Sequence, residues 1–247
     1  MKTKTPKIGI ILVSPPRFHD LGMGTEHGPY SLRKEKVAQE LLTHFDYAET
    51  IFPGIIYTKE EMEKAILLMK SEDVDMIFTH FLSWADDFAW ARFLRDIGDI
   101  PLMYATIVRD ELGFENSFTK DSFIEFLTAG GLVGSLEGSG DIARQKKNQV
   151  KIVLGSKEEV MNETRQMAKL CALRHELRHR SIALLPSMNE AMWSTYVDPY
   201  DIFTKIGPEI RFLSIVELSE IMDQISDERS NEVTKKILSK YEVKGTI

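Results

Sequence analysis

The stretch that decides the fold lies near the start of the chain: Lys7-Ile8-Gly9-Ile10-Ile11-Leu12-Val13. Its nearly unbroken apolar, β-branched character predicts a strand buried on both faces. An amphipathic, helix-length stretch follows over 30–45, and the same alternation then recurs. Further strands are predicted over 48–52, 74–81 and 101–106, and helices over 58–70 and 86–97. Strands separated by helices of this length predict right-handed βαβ units and a parallel sheet.

The alternation restarts in the second half, after a less regular middle. A short helix is predicted over 121–128, and the glycine-rich stretch over 130–140 predicts a backbone that turns often. A strand over 150–154 and a long helix ending near 177 then follow. We therefore expect an α/β chain with two doubly wound parallel-sheet domains, flavodoxin-like or Rossmann-like, covering 1–148 and 149–247.

Composition excludes several classes of protein. The 247 residues include 31 Lys and Arg against 38 Asp and Glu, a net charge of −7, which disfavours nucleic acid as the main partner. No apolar run approaches the roughly 20 residues of a membrane span. The single cysteine, Cys171, forms no internal disulfide, which favours a cytoplasmic setting, and its apolar neighbours predict a buried, inert thiol.

Ligands of open parallel sheets bind beyond the carboxyl ends of the strands, so the residues there are the first candidates. After the first strand, Arg17, His19 and His27 have the polarity to contact a polyol or a carboxylate; a solvated loop is equally compatible. The glycine spacing in this loop does not match the dinucleotide fingerprint.

The stretch after the third strand is the most unusual in the chain. His80, Phe81, Trp84 and Asp86 combine aromatic faces with polar groups, as sugar sites do. The alternative is structural: Asp86 as a helix N-cap, with Phe88 and Trp90 in the core. We favour the core for these last two aromatic residues.

Asn189 and Glu190 are the candidates in the second half. They either face a cleft between the two predicted domains or belong to a turn that begins a helix. No metal set with a known spacing appears. His175 and His179 are four apart, but neighbouring arginines favour a solvated helix face. We assign no catalytic residue and no metal ligand.

The order of these pieces resembles the L-fucose and L-arabinose isomerase family. The resemblance rests on Lys7-Ile8-Gly9-Ile10 at the start, Thr79-His80-Phe81 where the family has His-Thr-Phe, Ala143-Arg144 with Val150–Gly155 before the long helix, and Leu185–Glu190 in place of Gly-Asp-Asn-Met-Arg. It implies metal-assisted aldose–ketose isomerisation, with Mn²⁺ held by a third domain that would begin near residue 247. His19, His80, Phe81 and Trp84 would then help to shape the active site of a neighbouring subunit.

Two hypotheses follow. The first is the N-terminal and central part of such an isomerase, acting on a sugar in a homo-oligomer or beside a separate catalytic chain. The second is a non-catalytic cytoplasmic module that binds a sugar, or a partner subunit.

Overall fold

The computed structural model describes residues 4–16, 29–108, 131–184 and 196–241. Its strands and helices alternate along the chain. In order they are β1 (Lys7–Val13), α1 (Pro29–Leu42), β2 (Glu49–Ile51), β3 (Ile55–Ile56), α2 (Lys59–Ser71), β4 (Met76–Phe81), α3 (Asp87–Asp96), β5 (Leu102–Ile107), α4 (Gly131–Arg144), β6 (Val150–Gly155), α5 (Lys157–Arg178), β7 (Ser181–Leu184), α6 (Pro199–Lys205), β8 (Glu209–Phe212), α7 (Ile215–Asp223) and α8 (Asp227–Leu238).

The first six strands form one parallel sheet in the order β2-β1-β4-β5-β6, with β3 also pairing with β1. The register places Leu12 opposite His80 and His80 opposite Ala105, so β4 runs between β1 and β5. Because all the pairs are parallel, the carboxyl ends of β1, β4 and β5 meet at one edge of the sheet. The predicted α/β class is confirmed.

Helices cover both faces of this sheet, because alternate residues of each buried strand point to opposite sides. Ile11 and Phe81 belong to a core cluster with residues of α2, α3 and α4. Ile10 and Phe78 belong to a second cluster with residues of α1 and α5. The doubly wound arrangement predicted from the alternation is therefore present.

Three of the described helices, α2, α5 and α7, begin with reciprocal side-chain caps, the last of them between Ser214 and Glu217. The Thr58 hydroxyl accepts from the Glu61 amide, and the Glu61 carboxylate accepts from the Thr58 amide, at the start of α2. Ser156 and Glu159 make the same pair of hydrogen bonds at the start of α5. Each cap satisfies amides that have no partner within the helix.

The glycine-rich stretch is helical from Gly131 onwards, and the prediction of frequent turns was wrong for residues 131–140. Its glycines serve close packing of α4 on the chain that follows β4 and on Tyr104 of β5. A Cβ at Gly134 would lie 2.3 Å from the Ser83 carbonyl oxygen, and one at Gly138 would lie 2.6 Å from the Tyr104 hydroxyl. The predicted helix over 121–128 lies outside the described residues.

The chain divides into two compact units, Met1–His175 and Glu176–Ile247. The division differs from the expected boundary between residues 148 and 149, because β6 pairs with β5 as a strand of the first sheet. In the second unit, β7 and β8 form a two-stranded parallel sheet. Across the described ranges of the chain, no helix is long and apolar enough to cross a membrane.

Cys171 is 7% exposed, and burial raises the pKa of its thiol to about 11. The prediction of a buried, inert thiol is confirmed. His175 differs from its predicted solvated position, because its ring nitrogens lie 3.0 Å from the buried Asp75 carboxylate and 3.4 Å from that of Asp73. His179 is exposed, as predicted.

Candidate functional site

Polar side chains converge where β1 and β4 end. Backbone hydrogen bonds join the chain at these strand ends. The Ser14 amide donates to the Ile56 carbonyl over 3.0 Å, and the Leu82 amide donates to the Val13 carbonyl over 2.9 Å. The first turn of α1 packs over these strand ends. This is the edge of a parallel sheet at which ligands bind in open α/β folds.

Tyr30 is the centre of this convergence. It is 2% exposed, and its phenol oxygen lies 2.7 Å from the Ser14 hydroxyl oxygen. Burial raises the pKa of the phenol, and hydrogen bonds with the Ser14 and Ser83 hydroxyls partly oppose that rise. At neutral pH the phenol is therefore protonated and is able to donate or accept a hydrogen bond.

Lys34 lies one helical turn after Tyr30 on α1. It is only 2% exposed, and its ammonium group donates to the Leu82 carbonyl oxygen. The same nitrogen lies 5.4 Å from the centroid of the Tyr30 ring, a cation–π distance. Lysine is almost never fully buried without a specific reason, so this ammonium marks the site as specialised.

Two further aromatic residues lie beside Tyr30. Tyr57 and Trp84 are partly buried and pack against Tyr30. Burial raises the pKa of the Tyr57 phenol to about 12. We call Ser14, Tyr30, Lys34, Ser83 and Trp84 the carboxyl-edge site.

His80 lies beside this site, within the sheet. It is 8% exposed, and its Nδ1 lies 3.1 Å from the Ala105 carbonyl oxygen. Because a carbonyl oxygen only accepts, Nδ1 carries the proton in this contact. The ring shares the sheet face of Phe78, two residues earlier, which is the face covered by α1 and α5.

The structure separates the candidates predicted after the third strand. Trp84 belongs to the carboxyl-edge site and His80 lies next to it. Phe81 is 1% exposed and makes an edge contact with Trp90, at 5.0 Å between ring centroids, so it packs in the core. Asp86 caps α3, accepting from the Phe88 and Ala89 amides over 2.9 and 3.1 Å.

The prediction of core positions for two aromatic residues of α3 is half correct. Trp90 is 1% exposed, as predicted, whereas Phe88 is 79% exposed. Two residues apart on a helix point roughly 200° apart, so both cannot face the core.

The other predicted site residues lie outside the described residues. They are Arg17, His19 and His27, and in the second half of the sequence Asn189 and Glu190. Among the residues that are described, no group of three or more His, Cys, Asp or Glu side chains is arranged to hold a metal ion.

The residues at the centre of the site were not among the predicted site residues. Ser14 follows the predicted first strand, and Tyr30 and Lys34 lie in the amphipathic helix predicted over 30–45. The available signal was the spacing of an aromatic and a basic residue four apart in the helix that follows the first strand. That spacing places both on one helix face.

The comparisons with known proteins identify no family for this chain. No family model matches the sequence, and no curated protein matches it. Among solved structures, the chain is similar to an ABC transporter solute-binding protein from Bacillus halodurans C-125 with bound myo-inositol. The two are 12% identical with a TM-score of 0.30, over 86% of this chain and 94% of that one.

The resemblance to the L-fucose and L-arabinose isomerase family was wrong. The family comparison returned no isomerase, and the similar structure is a solute-binding protein. The expectation of Mn²⁺ rested on that resemblance alone.

Proposed function

We propose that this chain is a binding protein for a small polyhydroxylated molecule, a sugar or polyol, held at the carboxyl-edge site. The observation that carries the proposal is the buried phenol of Tyr30 between two serine hydroxyls, beside a buried ammonium group and an indole ring.

The chemistry of these groups suits a sugar. Hydroxyl groups of a ligand both donate and accept, and the serine and tyrosine hydroxyls do the same. The Lys34 ammonium, which donates to the Leu82 carbonyl, adds a positive charge beside these hydroxyls. The face of an aromatic ring packs on the C–H face of a pyranose or an inositol ring. The site therefore offers both kinds of contact that a polyol needs.

The protonation of the site suits the recognition of hydroxyl groups. Burial raises the pKa of Tyr30, so the phenol keeps its proton near neutral pH and can donate a hydrogen bond to a ligand. His80 uses Nδ1 to hold the Ala105 carbonyl, which fixes its ring in the sheet. These groups supply fixed hydrogen bonds for recognition.

Isothermal titration calorimetry with a panel of pentoses, deoxyhexoses, inositols and linear polyols tests the proposal. Cyclohexanol serves as a ring of similar size with a single hydroxyl. We expect saturable binding of at least one polyol and none of cyclohexanol. Binding by no member of the panel would overturn the proposal.

A pair of tyrosine variants locates the binding. Tyr30→Phe removes the central phenol and is expected to weaken the affinity roughly tenfold to a hundredfold. Tyr200→Phe is the matched control, because Tyr200 is 72% exposed on α6, and it is expected to bind as the wild type does. Equal affinities for all three proteins would place the ligand elsewhere.

A further inference from the structure

A buried hydroxyl group without a hydrogen bond lies next to the carboxyl-edge site. Ser31 follows Tyr30 in the first turn of α1 and is 1% exposed. Within the part of the chain that the structure describes, its Oγ has no hydrogen-bond partner. Buried polar groups of folded proteins nearly always have one, because an unsatisfied group loses its bonds to water without replacement. The Ser31 hydroxyl is therefore a group that a ligand can bind.

The Ser31 hydroxyl is directed towards the same strand edge as the rest of the site. Burial raises the pKa of the Tyr57 phenol, and the nearby Ser31 hydroxyl partly opposes that rise, although the two groups do not form a hydrogen bond. Tyr57 follows β3, which pairs with the carboxyl end of β1, and it packs against Tyr30. Ser31 therefore lies beside the hydroxyl groups of Ser14 and Tyr30.

The first turn of α1 attracts negative charge to this place. The first amides of a helix have no acceptor within it, and the helix dipole gives this end a partial positive charge. α1 has 14 residues and no acidic side chain in its first turn. It follows β1, which has β2 on one side and β4 on the other, so the strand order reverses there. Open α/β sheets bind ligands at such a reversal, and phosphate groups bind at helix N-termini.

Lys34 adds a full positive charge one helical turn further along α1. Its ammonium group is buried, donates to the Leu82 carbonyl just after β4, and lies 5.4 Å from the centroid of the Tyr30 ring. A residue three positions after Ser31 lies near it on the helix surface. Because water is largely excluded from a buried site, a positive charge there attracts an anion more strongly than it does in bulk water.

We infer that the ligand of the carboxyl-edge site is a phosphate monoester of a polyol, with its phosphate group held by the first turn of α1, the Ser31 hydroxyl and the Lys34 ammonium group. The inference rests on the proposed function, since the same site binds the polyol part. Backbone amides and the serine hydroxyl donate to the phosphate oxygens, and the ammonium group balances their charge. A phosphate group has three acceptor oxygens for these donors, whereas a carboxylate has two.

Calorimetric titration with matched ligands tests the charge of the ligand. Inositol is compared with inositol 1-phosphate, and ribose with ribose 5-phosphate and with its acid, ribonate, in a buffer without phosphate. We expect a phosphate ester to bind at least about tenfold more tightly than its neutral polyol and than the acid.

The outcomes of these titrations separate the inference from the proposed function. An ester that binds no better than its neutral polyol, or an acid that binds as tightly as the ester, would overturn the inference and leave the proposed function in place. Binding of neither the neutral polyols nor their esters would overturn both.

Two variants locate the phosphate group. The measured quantity is the preference for the ester, which is the ratio of its affinity to that of the neutral polyol. Ser31→Ala and Lys34→Gln are each expected to reduce this preference roughly tenfold. Ser71→Ala and Lys36→Gln are the matched controls, because both residues are exposed on helices, and they are expected to retain it. A preference that Ser31→Ala leaves unchanged would overturn the inference.

The stability of the Ser31→Ala variant gives a readout that needs no ligand. Because the hydroxyl bonds no other group of the described chain, its removal is not expected to lower the midpoint of thermal unfolding. A lower midpoint for the ligand-free variant would show that the hydroxyl has a structural partner in solution, and it would overturn the inference.

Discussion

The Ser14 hydroxyl oxygen lies 2.7 Å from the Tyr30 phenol oxygen, and the two residues are only 1% and 2% exposed. This hydrogen bond joins the end of β1 to the first turn of α1, so it contributes to the fold as well as to the site. Ser14→Ala is expected to lower the free energy of unfolding by about 1–2 kcal/mol, because the buried phenol loses one of its partners. Urea unfolding measures the change.

The control for this substitution is Ser239→Ala, because the Ser239 hydroxyl bonds an exposed carbonyl oxygen at the end of α8. A change of less than about 0.5 kcal/mol is expected there. Equal effects of the two substitutions would argue against a special role for the buried pair.

Alanine substitutions at two glycines of α4 are expected to change the stability in opposite directions. A Cβ at Gly138 would lie 2.6 Å from the Tyr104 hydroxyl and 2.8 Å from the Phe81 ring, whereas one at Gly140 would have nothing within 4 Å. Gly138→Ala is therefore expected to destabilise the protein by about 1–3 kcal/mol through overpacking. Gly140→Ala is expected to stabilise it by about 0.5–1 kcal/mol through helix propensity. Thermal unfolding of both variants decides the point, and stabilisation by Gly138→Ala would refute the close packing of α4.

Substitutions of Asp86 distinguish between a structural role and a ligand-binding role for its carboxylate. Because its carboxylate caps α3, Asp86→Ala is expected to cost about 1 kcal/mol of stability, while Asp86→Asn retains most of it. Neither substitution is expected to change ligand affinity by more than about twofold. A larger loss of affinity in the titrations would return Asp86 to the set of binding residues.

The buried thiol predicts a pH dependence of stability. Burial raises the pKa of Cys171 from its ordinary value near 9 to about 11, so the folded state holds the proton more tightly than the unfolded state does. The resulting stabilisation is present below about pH 9 and is lost as the pH rises towards 11, amounting to roughly 2–3 kcal/mol. Urea unfolding at a series of pH values measures it.

Cys171→Ala is the comparison for this pH series. The buried Tyr47 and Tyr57 phenols, whose pKa values burial also raises, are present in both proteins and cancel in the difference. The stability difference between variant and wild type is expected to move in favour of the variant between pH 9 and 11. A difference that does not vary with pH would show that the thiol is not buried in solution.

The sheet of the first unit was predictable because its strands are compact apolar runs. Lys7–Val13 is buried along nearly its whole length, and such a run has few alternatives to a central parallel strand. The capping boxes at Thr58 and Ser156 were equally predictable, because a cap depends on residues three positions apart.

The helix of α4 and the core of the site were not predictable, because they depend on contacts between distant parts of the chain. Glycine normally disfavours a helix, but Gly134 allows α4 to approach the chain after β4, about 50 positions earlier. The burial of Lys34 depends in the same way on the Leu82 carbonyl, 48 positions away. The local sequence pattern predicts an exposed lysine, and it contains no information on either of these contacts.

The central claim is that a polyol binds beside Tyr30, and the most direct measurement is ¹⁹F nuclear magnetic resonance of the chain labelled with 5-fluorotryptophan. Trp→Phe variants assign the three signals. Because Trp84 packs against Tyr30 while Trp90 is buried beneath α4 with its indole nitrogen donating to Gly138, the two report on different places. We expect a saturable shift of the Trp84 signal on addition of the polyol that binds best, with the Trp90 signal unchanged. A Trp84 signal that stays in place while that polyol binds would contradict it.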